Sequence, residues 1–150
     1  DKYQVFLFSY PLPIPFNFAL HTWLITNDKG RIKRWEVWEV KGLVKTSWSY
    51  VYRDLFSKPT MGIRRFYGKT GRWSGKTMSV VDGNTAKKII SFINKKAKRY
   101  SHKYEYHYYP GPNSNTFTQW IIDEFPESGL KLPWNTFGKR YANKEKHKNL

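Results

Sequence analysis

Residues 109–117 read Tyr-Pro-Gly-Pro-Asn-Ser-Asn-Thr-Phe and lead into the apolar residues 120–122. Two prolines around a glycine cannot continue a strand, whereas Asn and Ser side chains cap helices well. This stretch therefore predicts a loop that passes into a helix over Thr116–Phe125, which stops near Pro126. The candidate caps are Asn113, Ser114 and Asn115. A small hydroxyl side chain, that of Ser114, is thereby expected at the positive end of a helix dipole.

A second helix is predicted over Thr85–Tyr100, capped by Asn84 or Thr85. Its apolar residues recur at the spacing that places them on one helix face. They are Ala86, Ile89, Ile90, Ile93 and Ala97. The opposite face carries a dense series of basic residues, which we expect to face water: Lys87, Lys88, Lys95, Lys96, Lys98 and Arg99.

The remaining pattern is that of strands. His21–Thr26 and Arg31–Val40 are rich in β-branched and aromatic residues and flank a turn at residues 27–30, so they predict a hairpin. Each face of the second strand carries a Trp, which indicates a sheet covered on both sides. Tyr104–Tyr109 is predicted to be a further strand that feeds the loop at residue 110.

These elements predict a single α+β domain, an antiparallel sheet packed by two main helices. We expect the domain to span residues 21–141, preceded by an extended Pro-rich segment at 1–20 and followed by a basic tail at 142–150. The longest apolar run, residues 5–20, is interrupted by three prolines and cannot form a continuous membrane-spanning helix.

Composition restricts the chemistry. The chain has 27 basic and 11 acidic residues, a formal net charge of +16, and no cysteine. The absence of cysteine excludes disulfides, thiolate metal sites and thiol catalysis, and the four histidines lack zinc-site spacing. We therefore expect no metal and no cofactor. So much positive charge favours an anionic partner, such as an acidic protein or an anionic envelope component, with nucleic acid as the weaker alternative.

The octapeptide at 110–117, Pro-Gly-Pro-Asn-Ser-Asn-Thr-Phe, resembles the signature of an uncharacterised bacterial domain family known only as a domain of unknown function. The likeness runs from about His21 to Tyr141. It includes the motifs His21-Thr22-Trp23, Trp38-Glu39-Val40-Lys41-Gly42, Leu132-Pro133 and Phe137-Gly138-Lys139.

Within this stretch, Asn113-Ser114 and Phe117 are also similar to the Asn-Cys-x-x-Phe motif of circularly permuted papain-like proteins. These include the lecithin:retinol acyltransferase-like enzymes and relatives of the NlpC-type cell-wall peptidases. The resemblance implies a permuted papain-like fold in which His21 is the base and Ser114 replaces the nucleophilic cysteine. Glu39 would orient His21, with Glu36 as the alternate on the opposite strand face.

The residues beside the serine, Asn113, Asn115 and Thr116, would then line the pocket. A serine hydroxyl lacks the low pKa of a thiolate, so it needs a general base and an oxyanion site. The first hypothesis is therefore a non-catalytic papain-like binding or structural component of a bacterial envelope or multiprotein assembly. A serine-dependent hydrolase or acyltransferase is the alternative.

A nucleic-acid-binding protein is the second alternative. It is suggested by the runs Arg31–Trp35, Arg64–Tyr67 and Lys98–Tyr100, which place cations beside aromatic rings. The chain begins at Asp1 rather than Met, which indicates either a removed signal peptide or a fragment of a longer protein. With the first explanation we expect a bacterial periplasmic or secreted protein. A cytoplasmic location is also compatible with the sequence.

Overall fold

A computed structural model describes the backbone of residues 1–66 and 69–142 and the side chains of residues 1–62 and 74–142. The predicted basic tail therefore lies, from residue 143 onward, outside the described residues. Within residues 1–66 and 69–142, eight strands and two α-helices follow one another: β1 (Tyr3–Pro11), β2 (Leu20–Asp28), β3 (Arg31–Val37), β4 (Ser47–Trp48), β5 (Val51–Arg53), β6 (Met61–Phe66), β7 (Lys69–Ser74), β8 (Lys76–Asp82), α1 (Gly83–Lys96) and α2 (Ser114–Glu124).

Six strands form one antiparallel sheet in the order β4-β5-β3-β2-β1-β8, while β6 and β7 pair separately as a hairpin. The predicted α+β class is thereby confirmed. β1 pairs along its whole length with β2 and along most of it with β8. The N-terminal segment 1–20, predicted as an extended segment that precedes the domain, therefore supplies an interior strand of the sheet, because Tyr3–Pro11 is rich in strand-forming residues.

Both helices pack on one face of the sheet. The buried side of α1, which includes Ile89 and Ile93, and that of α2, which includes Phe117, share a core with Leu7 and Leu24. The opposite face carries a smaller cluster of Phe8, Trp23 and Ile25. Strand alternation explains the division, since successive side chains point to opposite faces.

The helix boundaries differ slightly from those predicted. α1 begins two residues before Thr85 with Asp82 at the cap position, and its last predicted turn, Ala97–Arg99, is a 3-10 helix. α2 begins at Ser114 and ends one residue before Phe125. Periodic apolar residues located α1 and the candidate capping residues at 113–115 located α2, whereas the helix ends depend on local backbone hydrogen bonds.

Two strand predictions need correction. Arg31–Val40 ends as a strand at Val37, and Tyr104–Tyr109 is irregular rather than extended in a sheet. In the latter segment Tyr104, Tyr108 and Tyr109 are exposed, while Tyr106 packs against the core. The backbone N–H groups of Glu105 and His107 donate to the nearby carbonyls of His102 and Pro112 instead of to a neighbouring strand. The hairpin turn is confirmed at residues 29–30, where both backbone φ angles are positive.

Candidate functional site

The N-terminus of α2 is built around Asn113. Its Oδ1 accepts hydrogen bonds from the backbone N–H groups of Asn115 at 3.0 Å and Thr116 at 3.3 Å. In return, Thr116 Oγ1 accepts from the Asn113 N–H at 3.0 Å. This reciprocal pattern is a capping box, and it satisfies helix donors that would otherwise be unpaired.

The same two side chains tie α2 to distant segments. Asn113 Nδ2 donates to the carbonyls of Tyr108 and Phe137 at 2.9 and 3.1 Å, and Thr116 Oγ1 donates to the Gly138 carbonyl at 2.8 Å. A Cβ atom at Gly138 would lie 2.3 Å from the Asn113 amide, and the glycine has a φ of +97°. Only glycine permits both that approach and that backbone conformation.

Asn115 connects α2 to the sheet. Thr22 Oγ1, on β2, donates to Asn115 Oδ1 at 2.8 Å and lies 3.1 Å from the Thr118 hydroxyl. Asn115 Nδ2 donates to the carbonyls of Leu20 and Phe137 at 2.8 and 2.9 Å. The predicted pocket residues Asn113, Asn115 and Thr116 are therefore buried, and their side chains form hydrogen bonds that hold α2 to the rest of the fold.

Ser114 is the first residue of α2 and is only 5% exposed. Its carbonyl accepts from the Thr118 hydroxyl at 3.2 Å. Its hydroxyl makes no hydrogen bond with any other residue that the structure describes. The β2 residue that faces this helix terminus is Thr22 rather than His21.

His21 lies on the opposite face of the sheet. Its Nε2 is 2.9 Å from Glu36 Oε1, and its ring stacks on Trp23 with centroids 5.5 Å apart and meets Trp38 edge-on at 5.1 Å. Successive side chains of a strand point to opposite faces of the sheet, so the neighbouring residues Thr22 and His21 lie on opposite sides of it. The predicted pairing of Ser114 with His21 is therefore not formed.

Glu36, not Glu39, is the carboxylate bound to His21. We expected Glu36 to point away from His21, and the register of the hairpin corrects this. It pairs Leu24 with Trp35, so that Glu36 comes opposite Trp23, and Trp23 lies on the same strand face as His21. β3 ends at Val37, so Glu39 lies beyond the strand and is exposed.

Glu36 and Arg34 form a fully buried ion pair. Arg34 Nη2 donates to Glu36 Oε1 at 2.9 Å, and Arg34 Nε donates to Oε2. The guanidinium also donates through Nη1 to the carbonyls of Pro59 and Met61. It lies over the Trp23 ring at 4.0 Å and the Phe56 ring at 4.6 Å, so every side of this cation is in contact with protein.

The environment keeps Glu36 ionised. Burial alone would raise the pKa of its carboxyl, but the charge of Arg34 and the hydrogen bonds from His21 and Arg34 outweigh it and hold that pKa below its usual value. The carboxylate is thus committed to Arg34 as well as to His21. The cluster of Arg34, Glu36 and His21 is suited to a structural role, since the His21 imidazole is buried and the charge of the Glu36 carboxylate is already neutralised by Arg34.

Glu39 instead lines an open groove of about 620 Å³ together with Val40, Tyr106, His107 and Tyr108. Burial, with a smaller contribution from the Glu39 charge, raises the pKa of the Tyr106 phenol. The groove contains neither His21 nor Ser114. The three proposed catalytic side chains therefore lie in three separate environments.

The predicted cations of the first helix are all exposed. They are Lys87, Lys88, Lys95 and Lys96 on α1, with Lys98 and Arg99 in the 3-10 turn that follows. We call these six residues the basic ridge. None of the six forms an ion pair with another residue in the described part of the chain.

In the two cation-and-ring runs whose side chains are described, the rings that a nucleic acid would stack on are buried. In the run Arg31–Trp35, Arg34 and Trp35 are 1% and 3% exposed, and Tyr100 is 2% exposed. The run Arg64–Tyr67 lies outside the described side chains. Within residues 1–62 and 74–142, no group of three or more His, Asp or Glu side chains is arranged to hold a metal. No described helix is long and apolar enough to cross a membrane.

The sequence did not reveal the Arg34–Glu36–His21 cluster or the role of Thr22. A signal was present, because Arg34 and Glu36 share a strand face whose neighbours are aromatic, and charged residues at such positions are usually paired.

A family model described as protein of unknown function (DUF3750) matches residues 4–141. No curated protein and no solved structure matches the chain. The likeness to permuted papain-like proteins stays a prediction.

Proposed function

The chain belongs to this family of unknown function, as its sequence predicted, and we propose that it is a non-catalytic binding component of a bacterial envelope or multiprotein assembly. Its contact with an anionic partner is made through the basic ridge. The single observation that supports this function is that six neighbouring cations are exposed without an ion-pair partner among the described residues.

The ridge is not needed to pack α1. The helix is held on the sheet by Ala86, Ile89, Ile90 and Ile93, all of which are buried on its other side. Lys95 and Lys96 gain some stability from the negative end of the helix dipole, but that effect decays within one turn. The other cations repel one another in a chain of net charge +16. An anionic surface would relieve that repulsion.

A serine hydrolase or acyltransferase has less support. His21 and Ser114 belong to opposite sheet faces, and Glu36 is neutralised by Arg34. A serine-directed phosphonate probe tests this directly. We expect no labelling, and stoichiometric labelling that disappears in Ser114→Ala would contradict a non-catalytic function.

Nucleic acid has less support than an acidic protein or an anionic envelope lipid. Single-stranded nucleic acid is held by cations together with exposed stacking rings. The ring that follows the ridge cations, Tyr100, is buried. A partner that presents charge without bases to stack fits the ridge better.

The test compares two charge-matched variants. Lys95→Glu/Lys96→Glu alters the ridge, while Lys41→Glu/Lys45→Glu makes the same charge change at exposed positions elsewhere. Binding to anionic lipid vesicles, lipopolysaccharide, DNA and an acidic polypeptide is measured across a salt series. We expect the ridge variant to lose affinity and salt dependence much more than the control does. Equal losses of affinity in the two folded variants would show that only the total charge matters and would refute the proposed role of the basic ridge.

A further inference from the structure

Several large apolar side chains are exposed in the loop between β1 and β2 and in the C-terminal segment. In the loop between β1 and β2, Ile14, Phe16 and Phe18 are 50%, 60% and 57% exposed, and Trp134 in the C-terminal segment is 77% exposed. Isolated exposed apolar residues are ordinary, but a contiguous group of large ones marks an interaction site.

The aromatic side chains of this group form a continuous series of ring contacts. The rings of Phe16 and Phe18 are 6.5 Å apart, and those of Phe18 and Phe137 are 6.1 Å apart. Trp134 reaches the same half-buried Phe137 ring at 6.3 Å. We call Ile14, Phe16, Phe18, Trp134 and Phe137 the aromatic patch.

The patch is held in a defined shape by backbone hydrogen bonds. Leu12 N–H donates to the Ala19 carbonyl at 2.9 Å and closes the loop at its base. Asn135 joins the two segments, since its Nδ2 donates to the Phe18 carbonyl at 3.0 Å and its own carbonyl accepts from Leu20 N–H at 3.1 Å. The apolar side chains are therefore presented to solvent by an ordered loop.

Cations lie beside the patch. Lys139 Nζ donates to the carbonyls of Leu132 and Pro133 at 3.0 and 2.8 Å, which fixes the ammonium next to the segment that carries Trp134. Burial, followed by the nearby charges of Arg140 and Lys131, lowers the pKa of Lys139. Three basic side chains thus share one region with exposed aromatic rings.

We propose that the aromatic patch, with Lys131, Lys139 and Arg140, docks the protein onto the surface of an anionic lipid bilayer. Aromatic rings, Trp above all, partition to the interface between acyl chains and headgroups, and adjacent cations contact lipid phosphates. The net charge of +16 favours this occupant over an apolar protein groove, because the whole molecule is attracted to an anionic membrane. The patch lies on other segments of the chain than the basic ridge, so either proposal can fail without the other.

The test uses sedimentation with vesicles of phosphatidylcholine, with and without phosphatidylglycerol. We expect binding to the anionic vesicles and weakening by about tenfold or more in Phe16→Ser/Phe18→Ser. The control is Val80→Ser/Tyr104→Ser, which removes exposed apolar side chains elsewhere and should bind as the unmodified protein does. Trp134→Phe should remove most of the vesicle-induced blue shift of Trp emission.

Two results would overturn the proposal. One is vesicle binding that is equal in the patch variant and the unmodified protein, since charge alone would then account for it. The other is self-association without lipid that is lost in the patch variant, measured by sedimentation velocity, which would make the patch an interface between copies. Comparison of Lys95→Glu/Lys96→Glu with the charge-matched Lys41→Glu/Lys45→Glu separates the two proposals, since both variants lower the net charge equally and leave the patch intact, but only the first alters the ridge.

Discussion

Replacing Glu36 by Gln should destabilise the protein strongly, because it leaves the Arg34 cation in a buried site without its counter-ion. Removing one partner of a buried pair costs about 3–5 kcal/mol. Arg34 keeps two carbonyl acceptors and two ring contacts, and the Gln carbonyl still accepts one hydrogen bond. We therefore expect a loss near the lower limit, about 3 kcal/mol, from the ~5–15 kcal/mol typical of such domains.

Urea denaturation at neutral pH, followed by Trp fluorescence and circular dichroism, measures this loss. The companion variant is Arg34→Met/Glu36→Gln, in which no buried charge remains at these two positions. It should recover at least about 1 kcal/mol relative to Glu36→Gln alone. The reasoning is refuted if Glu36→Gln costs less than about 1 kcal/mol, or if the double variant is the less stable of the two.

The acid dependence provides an independent measurement. A carboxyl whose pKa is lower in the folded state stabilises the fold above its unfolded pKa, and that stability is lost as the pH falls through the folded pKa. The unmodified protein should therefore lose stability below about pH 4.5, the ordinary pKa of a Glu carboxyl. Glu36→Gln should lose less over the same interval, and parallel curves would contradict the assignment.

Two further outcomes are expected. Thr22→Val removes the donor to Asn115 and should cost about 1–3 kcal/mol in urea denaturation, whereas Thr22→Ser keeps the hydroxyl and should cost much less; equal losses would assign the effect to packing. The phenol of Tyr106 has a raised pKa, so the fold should lose stability as the pH rises above about 10, and Tyr106→Phe should flatten that decline.

The sequence predicted the fold class because its periodic signals are long. The apolar spacing of α1 and the turn at residues 29–30 do not depend on distant contacts. The candidate site was harder to predict from the sequence, because pairing His21 with Ser114 required knowing on which face of the sheet each residue lies. A single step along β2 reverses that face. Glu39 was likewise predicted to lie on the second strand of the hairpin, but β3 ends at Val37, before Glu39.

The network at the start of α2 also bears on the order in which the chain can fold. Thr22 and Asn115 are 93 residues apart, and Asn113, Asn115 and Thr116 depend on the carbonyls of Phe137 and Gly138. Hairpins such as β1–β2 can form from local contacts, but α2 can dock fully only when residue 138 is available. Contacts of such sequence separation slow folding. A chain shortened before Phe137 would bury amide and hydroxyl donors without acceptors. The last residues of the domain are therefore needed before α2 can pack fully on the sheet.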